Sequence, residues 1–316
     1  METRRLGRSG LRVGPLGLGT ARMAGLGWSD ETTPAVSPEA RRDAIRQIQA
    51  AVDLGVTLFD TADTYGEGES ERILGEALRG RANAVVVTKF GEDPMPTQED
   101  PWALDAESVG RACEASLQRL GIECIDVYLL HRRDYPLERA PEMVGILEDL
   151  VSAGRIRAYG WSTDDVERAR VFAGGAHCSA IEHRLNVFHD ATAMLDLCWE
   201  HDLGSLNRIP LLMGVLTGRW SEDTRLGGDD RRAPWFEEQA FRDLLTHAQA
   251  IEPHLRCDGR SVAQGALGWI WARSELAVPL PGFRDMAQLR DLLKARRFGP
   301  LPPEAMRAIA EALGRG

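Results

Sequence analysis

Three ionisable residues stand directly after short apolar runs of the sequence. Asp60 follows the run 58–59, Lys89 the run 85–88 and His131 the run 127–130. Taken alone, each has an ordinary structural interpretation: a helix cap, the charged end of a strand, and a hydrogen-bonded core histidine. All three fall where a parallel strand would end, and in an α/β barrel that rim is where catalytic side chains gather. The sequence therefore predicts one site that combines these three residues for acid–base chemistry.

Tyr65 lies five residues beyond Asp60, close enough for the loop after the strand to return its hydroxyl to the same rim. A free tyrosine has a pKa of ~10, and a nearby ammonium lowers that pKa by stabilising the phenolate. Lysine occurs in this chain only at positions 89 and 294, whereas arginine fills nearly every other basic position, which favours a specific role for the compact ammonium of Lys89. We expect Tyr65 to donate a proton, Lys89 to lower its pKa, and Asp60 to hold the lysine in place.

The elements that must position these residues alternate along the chain. Short β-branched or aliphatic runs are separated by longer stretches of helical period, which is typical of repeated βα units around a parallel sheet. We predict a (β/α)₈ TIM barrel as one domain over residues 1–316. The predicted strands are 16–19, 58–60, 84–89, 125–131, 156–160, 180–182, 204–207 and 277–281. The predicted helices are 37–54, 71–78, 106–120, 140–153, 163–173, 191–201, 260–272 and 286–294.

Three further segments complete the predicted architecture. Residues 4–13 contain two short alternating pieces around Ser9-Gly10, which predict an N-terminal β-hairpin that closes the bottom of the barrel. Residues 221–234 have no convincing period and predict a long loop on the C-terminal face, where long loops often act as lids or binding elements. Residues 300–316 predict a loop followed by a short helix.

Composition restricts the classes of function. The net charge of −10 argues against a general nucleic-acid binder, since such proteins need a concentrated basic surface. The sequence contains neither the apolar region of a signal peptide nor the ~18 apolar residues of a membrane span, so we expect a cytoplasmic protein without a membrane partner. The five cysteines are scattered, without a C-x-x-C pair, and we interpret them as reduced thiols. The oligomeric state stays open.

The segment 59–71 reads Phe-Asp-Thr-Ala-Asp-x-Tyr-Gly-x-Gly-x-Ser-Glu, and it resembles the first signature of the aldo-keto reductases. Further segments follow in that family's order: Val-Thr-Lys at 87–89, Asp-Val-Tyr-Leu-Leu-His at 126–131, Gly-Arg-Ile-Arg-Ala-Tyr-Gly-Trp-Ser at 154–162, Leu-Thr-Gly at 216–218 and Pro-Gly-Phe-Arg at 281–284. The resemblance covers essentially the whole chain. It implies that NADPH delivers hydride to a small-molecule carbonyl compound, that Tyr65 protonates the oxygen, that His131 positions it, and that no metal is needed.

The resemblance also implies a set of cofactor contacts. Ser162 would hold the nicotinamide carboxamide. Glu182 stands where the family has glutamine, and a carboxylate can accept from the amide but cannot donate unless protonated. Arg208 replaces an aromatic residue that lies under the nicotinamide ring; its guanidinium could stack there, contact the pyrophosphate, or form a surface salt bridge. The remaining implied contacts on this side are Gly19, Thr20, Pro210, Leu211, Gly214, Gly282 and Phe283.

The adenosine end of the cofactor is implied at the start of the last helix of the barrel. Arg284 is the candidate for the 2′-phosphate, with helix-end amides assisting, and Gln288 and Asp291 match adenosine-side positions. Asp285 adds a negative charge where a small hydroxyl residue is usual. We expect NADP(H) to be favoured over NAD(H). Because no G-x-G-x-x-G follows a strand, a Rossmann site is not indicated.

The substrate pocket is the least determined part of the site. Met23, Trp28 and Trp161 are candidate pocket residues, together with Tyr135 and Trp235, and core packing or surface exposure is the alternative for each. An aromatic pocket would suit a hydrophobic or ring-bearing carbonyl compound, or a sugar.

Two other functions are compatible with parts of the pattern. A metal-dependent barrel enzyme could use Asp60, His131, Glu182 and His183, although adjacent strand residues such as the last two point to opposite faces. A cofactor-binding regulatory protein with little turnover is the second alternative, since the β subunits of voltage-gated potassium channels resemble this family.

Overall fold

The barrel sheet consists of eight parallel strands that pair in chain order. The computed structural model describes residues 3–24, 36–81, 83–92, 104–221, 223–226 and 232–315. The barrel strands are β3 (Leu18–Gly19), β4 (Leu58–Asp60), β5 (Val85–Phe90), β6 (Ile125–Leu130), β7 (Ile156–Ser162), β8 (Cys178–Arg184), β9 (Gly204–Arg208) and β10 (Ala277–Pro279). Hydrogen bonds from Gly17 N to Pro279 O (3.1 Å) and from Gly19 N to Pro281 O (3.2 Å) join the two outer strands. The predicted (β/α)₈ barrel is confirmed.

Helices connect the strands and cover the outside of the barrel. They are α1 (Pro38–Asp53), α2 (Glu69–Leu78), α3 (Ala106–Leu120), α4 (Ala140–Ser152), α5 (Val166–Ala173), α6 (Thr192–Glu200), α7 (Gln239–Leu255), α8 (Val262–Arg273), α9 (Met286–Phe298) and α10 (Pro303–Ala312). Several begin at side-chain caps visible in the sequence: the Ser37 side chain accepts from Ala40 N, and Ser261 forms a capping box with Gln264. In the part of the chain that the structure describes, no helix is both long and apolar enough to cross a membrane.

An apolar layer fills the lower half of the barrel. The N-terminal hairpin, β1 (Arg4–Arg5) paired antiparallel with β2 (Arg12–Val13), contributes Leu6 and Val13 to this layer. The strands contribute Leu58, Val85, Val87, Val127, Leu129, Ala180, Leu206, Val278 and Leu280. The predicted hairpin is therefore confirmed, and its two apolar side chains close the barrel from below.

The prediction omitted one helix of the barrel's outer layer. Helix α7 lies between the predicted loop at 221–234 and α8, and it buries Phe241, Leu245, Ile251 and Leu255. These residues are spaced by four, six and four positions, so the helical period was present in the sequence. Of the predicted loop, residue 222 and residues 227–231 lie outside the described residues, and a 3₁₀ helix begins at its end (Ala233–Glu237).

Candidate active site

The strand period places the ionisable residues directly above the apolar layer. Side chains two residues apart on a strand point to the same face of the sheet. Counting two residues on from the interior positions Leu58, Val87, Leu129, Ala180 and Leu206 leads to Asp60, Lys89, His131, Glu182 and Arg208. Each strand of this group thus has, at or near its upper end, a polar residue one step above an apolar one, and the site is a polar layer at the upper end of the barrel.

Lys89 is at the centre of this layer and is fully buried. Its ammonium donates to the Asp60 carboxylate and to Thr61 O (2.9 Å), and it lies 3.2 Å from Glu182 Oε2. Ser162 Oγ donates to the other oxygen of Glu182, at 3.0 Å. One ammonium therefore serves two buried carboxyl groups, an arrangement that the sequence did not predict.

The protonation states follow from this arrangement of charges. Burial alone would lower the pKa of Lys89, but Asp60 and Glu182 outweigh it and raise that pKa, so the lysine stays charged. Burial and the neighbouring charge of Glu182 raise the pKa of Asp60 well above its usual range. Two carboxyls that share one ammonium carry an excess of negative charge when both are ionised.

Tyr65 reaches this layer from the loop between β4 and α2. The centroid of its ring lies 5.4 Å from Lys89 Nζ and 6.0 Å from the His131 ring, which it meets edge-on. Lys89 lowers the pKa of Tyr65, as expected, but other effects are larger. Burial and the carboxylates of Asp60 and Glu182 outweigh the lysine and raise the pKa of Tyr65. The hydroxyl is consequently protonated throughout the neutral range, which is the state that a proton donor requires.

His131 lies immediately after β6 and is almost completely buried. Burial, assisted by the positive charge of Lys89, lowers its pKa to about 3, so the imidazole is neutral at physiological pH. Its Nδ1 lies 3.2 Å from Glu92 Oε2. Glu92 was missed by the sequence analysis, although it follows strand β5 at the same rim.

Arg208 lies at the end of β9, on the same rim of the barrel. Its guanidinium pairs with Asp164, and burial lowers its pKa. The Nε atom is buried and has no hydrogen-bond partner among the described residues. A buried N–H without a partner is unfavourable, so this atom is available to a bound polar group.

A cavity of about 370 Å³ connects these residues with the start of α9. This volume is within the range of small-molecule and cofactor sites. Most of the predicted site residues line it: Gly19, Asp60, Tyr65, His131, Ser162, Glu182, Arg208, Pro210, Leu211, Gly214, Gly282, Arg284, Gln288 and Asp291. Lys89 contacts Asp60 and Glu182, which line the cavity, and is itself fully buried.

Four predicted site residues have other positions. Trp161 is one residue from Ser162 and hence on the opposite face of β7, where it packs against Phe172 in the core between strands and helices. Met23 and Phe283 belong to the same core. The Thr20 hydroxyl is buried and donates to Asp60 O (2.9 Å). None of the four lines the cavity, so their predicted contacts with substrate or cofactor are not supported.

Two of the other aromatic candidates also pack in apolar clusters of the protein. Tyr135 is buried in the main core, and Trp235 packs beside a smaller apolar cluster with Phe241. Trp28 lies outside the described residues.

The cavity also has basic lining residues that the sequence analysis did not assign. They are Arg22, Arg133, Arg219 and Arg232. The Arg232 guanidinium lies 4.8 Å from the Trp220 ring centroid and donates to Met213 O (2.9 Å). A sequence signal existed for two of them, since Arg219 follows the 216–218 motif directly and Arg232 falls in the predicted lid loop.

Two acidic residues at the start of α9 have structural roles. The side chain of Asp285 caps the helix by accepting from Gln288 N (2.8 Å). Asp291 accepts hydrogen bonds from Ser261 Oγ (2.8 Å) and Gln264 Nε2 (2.7 Å). Both carboxylates are therefore engaged within the protein.

The side chains of Glu182 and His183 are not arranged to bind one metal ion together. His183 lies on the other face of β8, where its Nε2 is 2.7 Å from Ser205 Oγ. No group of three or more His, Cys, Asp or Glu side chains that could hold a metal ion occurs within the described ranges.

Comparison with known proteins decides the family. The model of the Aldo/keto reductase family matches residues 15–313. The chain belongs to the aldo/keto reductase family. It therefore has the general activity of that family, NAD(P)H-dependent reduction of carbonyl compounds, and the resemblance read from the sequence motifs is confirmed.

Individual relatives of this aldo/keto reductase span nearly its whole length. An "NADH-specific methylglyoxal reductase" of Escherichia coli (strain K12) is 30% identical over 331 residues, which cover 98% of each chain. A glycerol dehydrogenase from Gluconobacter oxydans has a structure with a TM-score of 0.83 and 29% identity, covering 99% of this chain and 95% of that one. An aldo-keto reductase from Klebsiella pneumoniae, solved in complex with NADPH, has a TM-score of 0.70 and 26% identity, with 98% and 95% coverage.

Proposed function

We propose that this aldo/keto reductase reduces an aldehyde or ketone to the alcohol with NADPH, and that Tyr65 is its general acid. The observation that carries the proposal is the buried group of Asp60, Lys89 and His131 around the Tyr65 ring, beside a cavity that also reaches Arg284 and Gln288. Each side chain has a distinct task in adding a proton to a carbonyl oxygen.

The cavity fits a nicotinamide dinucleotide. Among the described residues, six arginines line it, Arg22, Arg133, Arg208, Arg219, Arg232 and Arg284, and they suit the charge of a cofactor that carries several phosphate groups. The unpartnered Arg208 Nε offers a donor to the bound molecule. Ser162 and Glu182 would hold its nicotinamide end, and Arg284 with Gln288 its adenosine end. When bound, the reduced cofactor supplies hydride to the carbonyl carbon.

The protein's own residues supply the proton and the electrostatics. Tyr65 holds its proton until a substrate oxygen gains negative charge, and then protonates it. The ammonium of Lys89, 5.4 Å from the tyrosine ring centroid, stabilises the phenolate that remains. The neutral imidazole of His131 orients the carbonyl oxygen toward the tyrosine hydroxyl.

NADPH is proposed as the preferred cofactor because Arg284 offers a charged partner to a 2′-phosphate. The capping role of Asp285 accounts for its negative charge at this position without requiring NADH. The relatives include both a structure with bound NADPH and a protein named as NADH-specific, so measured Kd values for both cofactors are needed.

Tyr65→Phe tests the proposal directly. We expect the kcat for carbonyl reduction, measured as NADPH oxidation with a panel of aldehydes and ketones, to fall by about 10²–10⁴-fold, while NADPH binding stays within about twofold. Tyr159→Phe is the matched control, because that hydroxyl donates to Glu148 (2.6 Å) and Tyr159 does not line the cavity. Unchanged turnover in Tyr65→Phe would refute the assignment.

A further inference from the structure

The end of the cavity around Tyr65 has an unbalanced charge. Asp60 and Glu182 are two carboxyl groups, and Lys89 is the one ammonium that contacts both. His131 is neutral, and the Arg208 guanidinium is paired with Asp164. The count for the group is therefore −1 when both carboxyls are ionised and zero when Asp60, whose pKa is raised, holds a proton.

Glu182, like Asp60, combines burial with direct access to the cavity. It is 3% exposed, it lines the cavity, and Ser162 Oγ donates to its Oε1 at 3.0 Å. Its Oε2 lies 3.2 Å from Lys89 Nζ and has no hydrogen-bond partner among the described residues. A buried carboxylate with fixed orientation interacts strongly with any charge that forms nearby, because little water is present to screen it.

The redox state of the cofactor changes the charge at this end of the cavity. The hydride donor must lie beside the carbonyl group that Tyr65 protonates, so the reacting ring shares the Tyr65 end with Glu182. The nicotinamide ring is neutral when reduced and positively charged when oxidised. A second carboxylate beside the single ammonium therefore attracts the positively charged oxidised ring and has no such attraction for the neutral reduced ring.

We propose that Glu182 makes this enzyme bind oxidised nicotinamide cofactor more tightly, relative to the reduced form, than a neutral amide at position 182 would. This inference rests on the proposed function for the location of the ring. It has two consequences: release of oxidised cofactor is slowed after each reduction, and the equilibrium on the enzyme shifts toward oxidation of the alcohol.

The ratio of two dissociation constants tests this directly, without turnover. Kd values for NADP⁺ and NADPH would be measured by isothermal titration calorimetry and by quenching of tryptophan fluorescence, with no substrate present. Glu182→Gln removes the charge and keeps the size. We expect the ratio of the NADP⁺ Kd to the NADPH Kd to rise about tenfold, since one charge is lost from a partly neutralised site.

Two control variants separate charge from shape and from remote effects. Glu182→Asp keeps the charge and should leave the ratio within about threefold of the wild-type value. Glu148→Gln removes a carboxylate that accepts from Tyr159, is absent from the cavity lining, and should leave the ratio unchanged. If Glu182→Gln does not fold, Asp60→Asn removes the other carboxyl group, so that the site can no longer carry two carboxylate charges beside one ammonium, and it should raise the ratio in the same direction.

The outcomes separate this inference from the proposed function. A ratio that stays within twofold of wild type in both Glu182→Gln and Asp60→Asn, with both cofactor forms still bound, refutes the charge effect and leaves carbonyl reduction untouched. Wild-type protein that binds neither form would refute both. A raised ratio in Glu182→Gln supports the inference even if Tyr65 proves not to be the acid.

Discussion

Replacing Lys89 with methionine tests whether one ammonium holds the two buried carboxyl groups of the site. The variant keeps an apolar side chain of similar length and removes the charge that contacts Asp60 and lies 3.2 Å from Glu182 Oε2. The two carboxyls then share a buried site without their counter-ion. Lys294, the other lysine of the chain, is exposed on α9, so Lys294→Met is the matched control.

The magnitude follows from distance and burial. Opposite charges 3.2 Å apart attract by about 5 kcal/mol at an effective dielectric constant of about 20, and the contact with Asp60 adds to this. The hydration that Lys89 loses on folding offsets part of this attraction. In the variant, one carboxyl can take up a proton, which lowers the cost of the missing ammonium further. Removing one partner of a buried ion pair costs about 3–5 kcal/mol, which we expect at pH 7. That is a large fraction of a typical stability of about 5–15 kcal/mol.

Urea unfolding at pH 7 and pH 5, followed by tryptophan fluorescence, measures the effect. The deficit should shrink at pH 5, because the native variant holds a proton on one carboxyl that the unfolded chain has released. Adding Asp60→Asn to Lys89→Met should restore much of the stability, since it removes one of the two unpaired charges. If Lys89→Met is within about 1 kcal/mol of wild type at both pH values, as expected for Lys294→Met, the reasoning is refuted.

Three further predictions concern the same barrel. Arg284→Ala should weaken binding of NADPH about tenfold more than binding of NADH, and equal weakening of the two in titrations would remove Arg284 from the 2′-phosphate site. The native pKa of His131 is about 3, below its unfolded value of ~6.5, so stability is lost as pH falls from ~6.5 toward 3. Between pH 7 and pH 5 the wild type should lose about 2 kcal/mol more than His131→Asn; equal losses in urea unfolding would contradict the assignment. Gly160→Ala should destabilise by about 3 kcal/mol, because its Cβ would lie 1.8 Å from Ala180 O, whereas a Cβ at Gly145 meets nothing within 4 Å. Similar melting temperatures for the two alanine variants would show that the backbone at Gly160 can move.

The barrel and the polar residues at its rim could be predicted because both depend on local periodicity. Leu58 and Asp60, or Val87 and Lys89, lie two residues apart on one strand, so an apolar residue followed by an ionisable one indicates the upper end of that strand. The start of helix α1 could be predicted for a similar reason. It depends on a residue close in sequence, Ser37, whose side chain caps the helix.

The errors arose where a side chain's direction or a contact through space decided the outcome. Trp161 was assigned to the pocket although the alternation that sends Ser162 inward sends its neighbour outward. The tyrosine pKa was predicted from Lys89 alone, whereas Glu182, 93 positions further along the chain, also contacts that lysine. A pKa depends on the sum of all nearby charges. The charge of Glu182 could not be included from the sequence, because the contact between β5 and β8 forms only in the closed sheet.

The apolar layer beneath Lys89 also determines the side of the barrel from which protons can reach the polar layer. The hairpin residues Leu6 and Val13 and the strand residues above them close the barrel from below, and the polar layer faces the cavity instead. Under the proposed mechanism, a proton that Tyr65 gives up would therefore be replaced from the cavity side of the barrel. Product would leave through the same side of the barrel, because the apolar layer closes the other side.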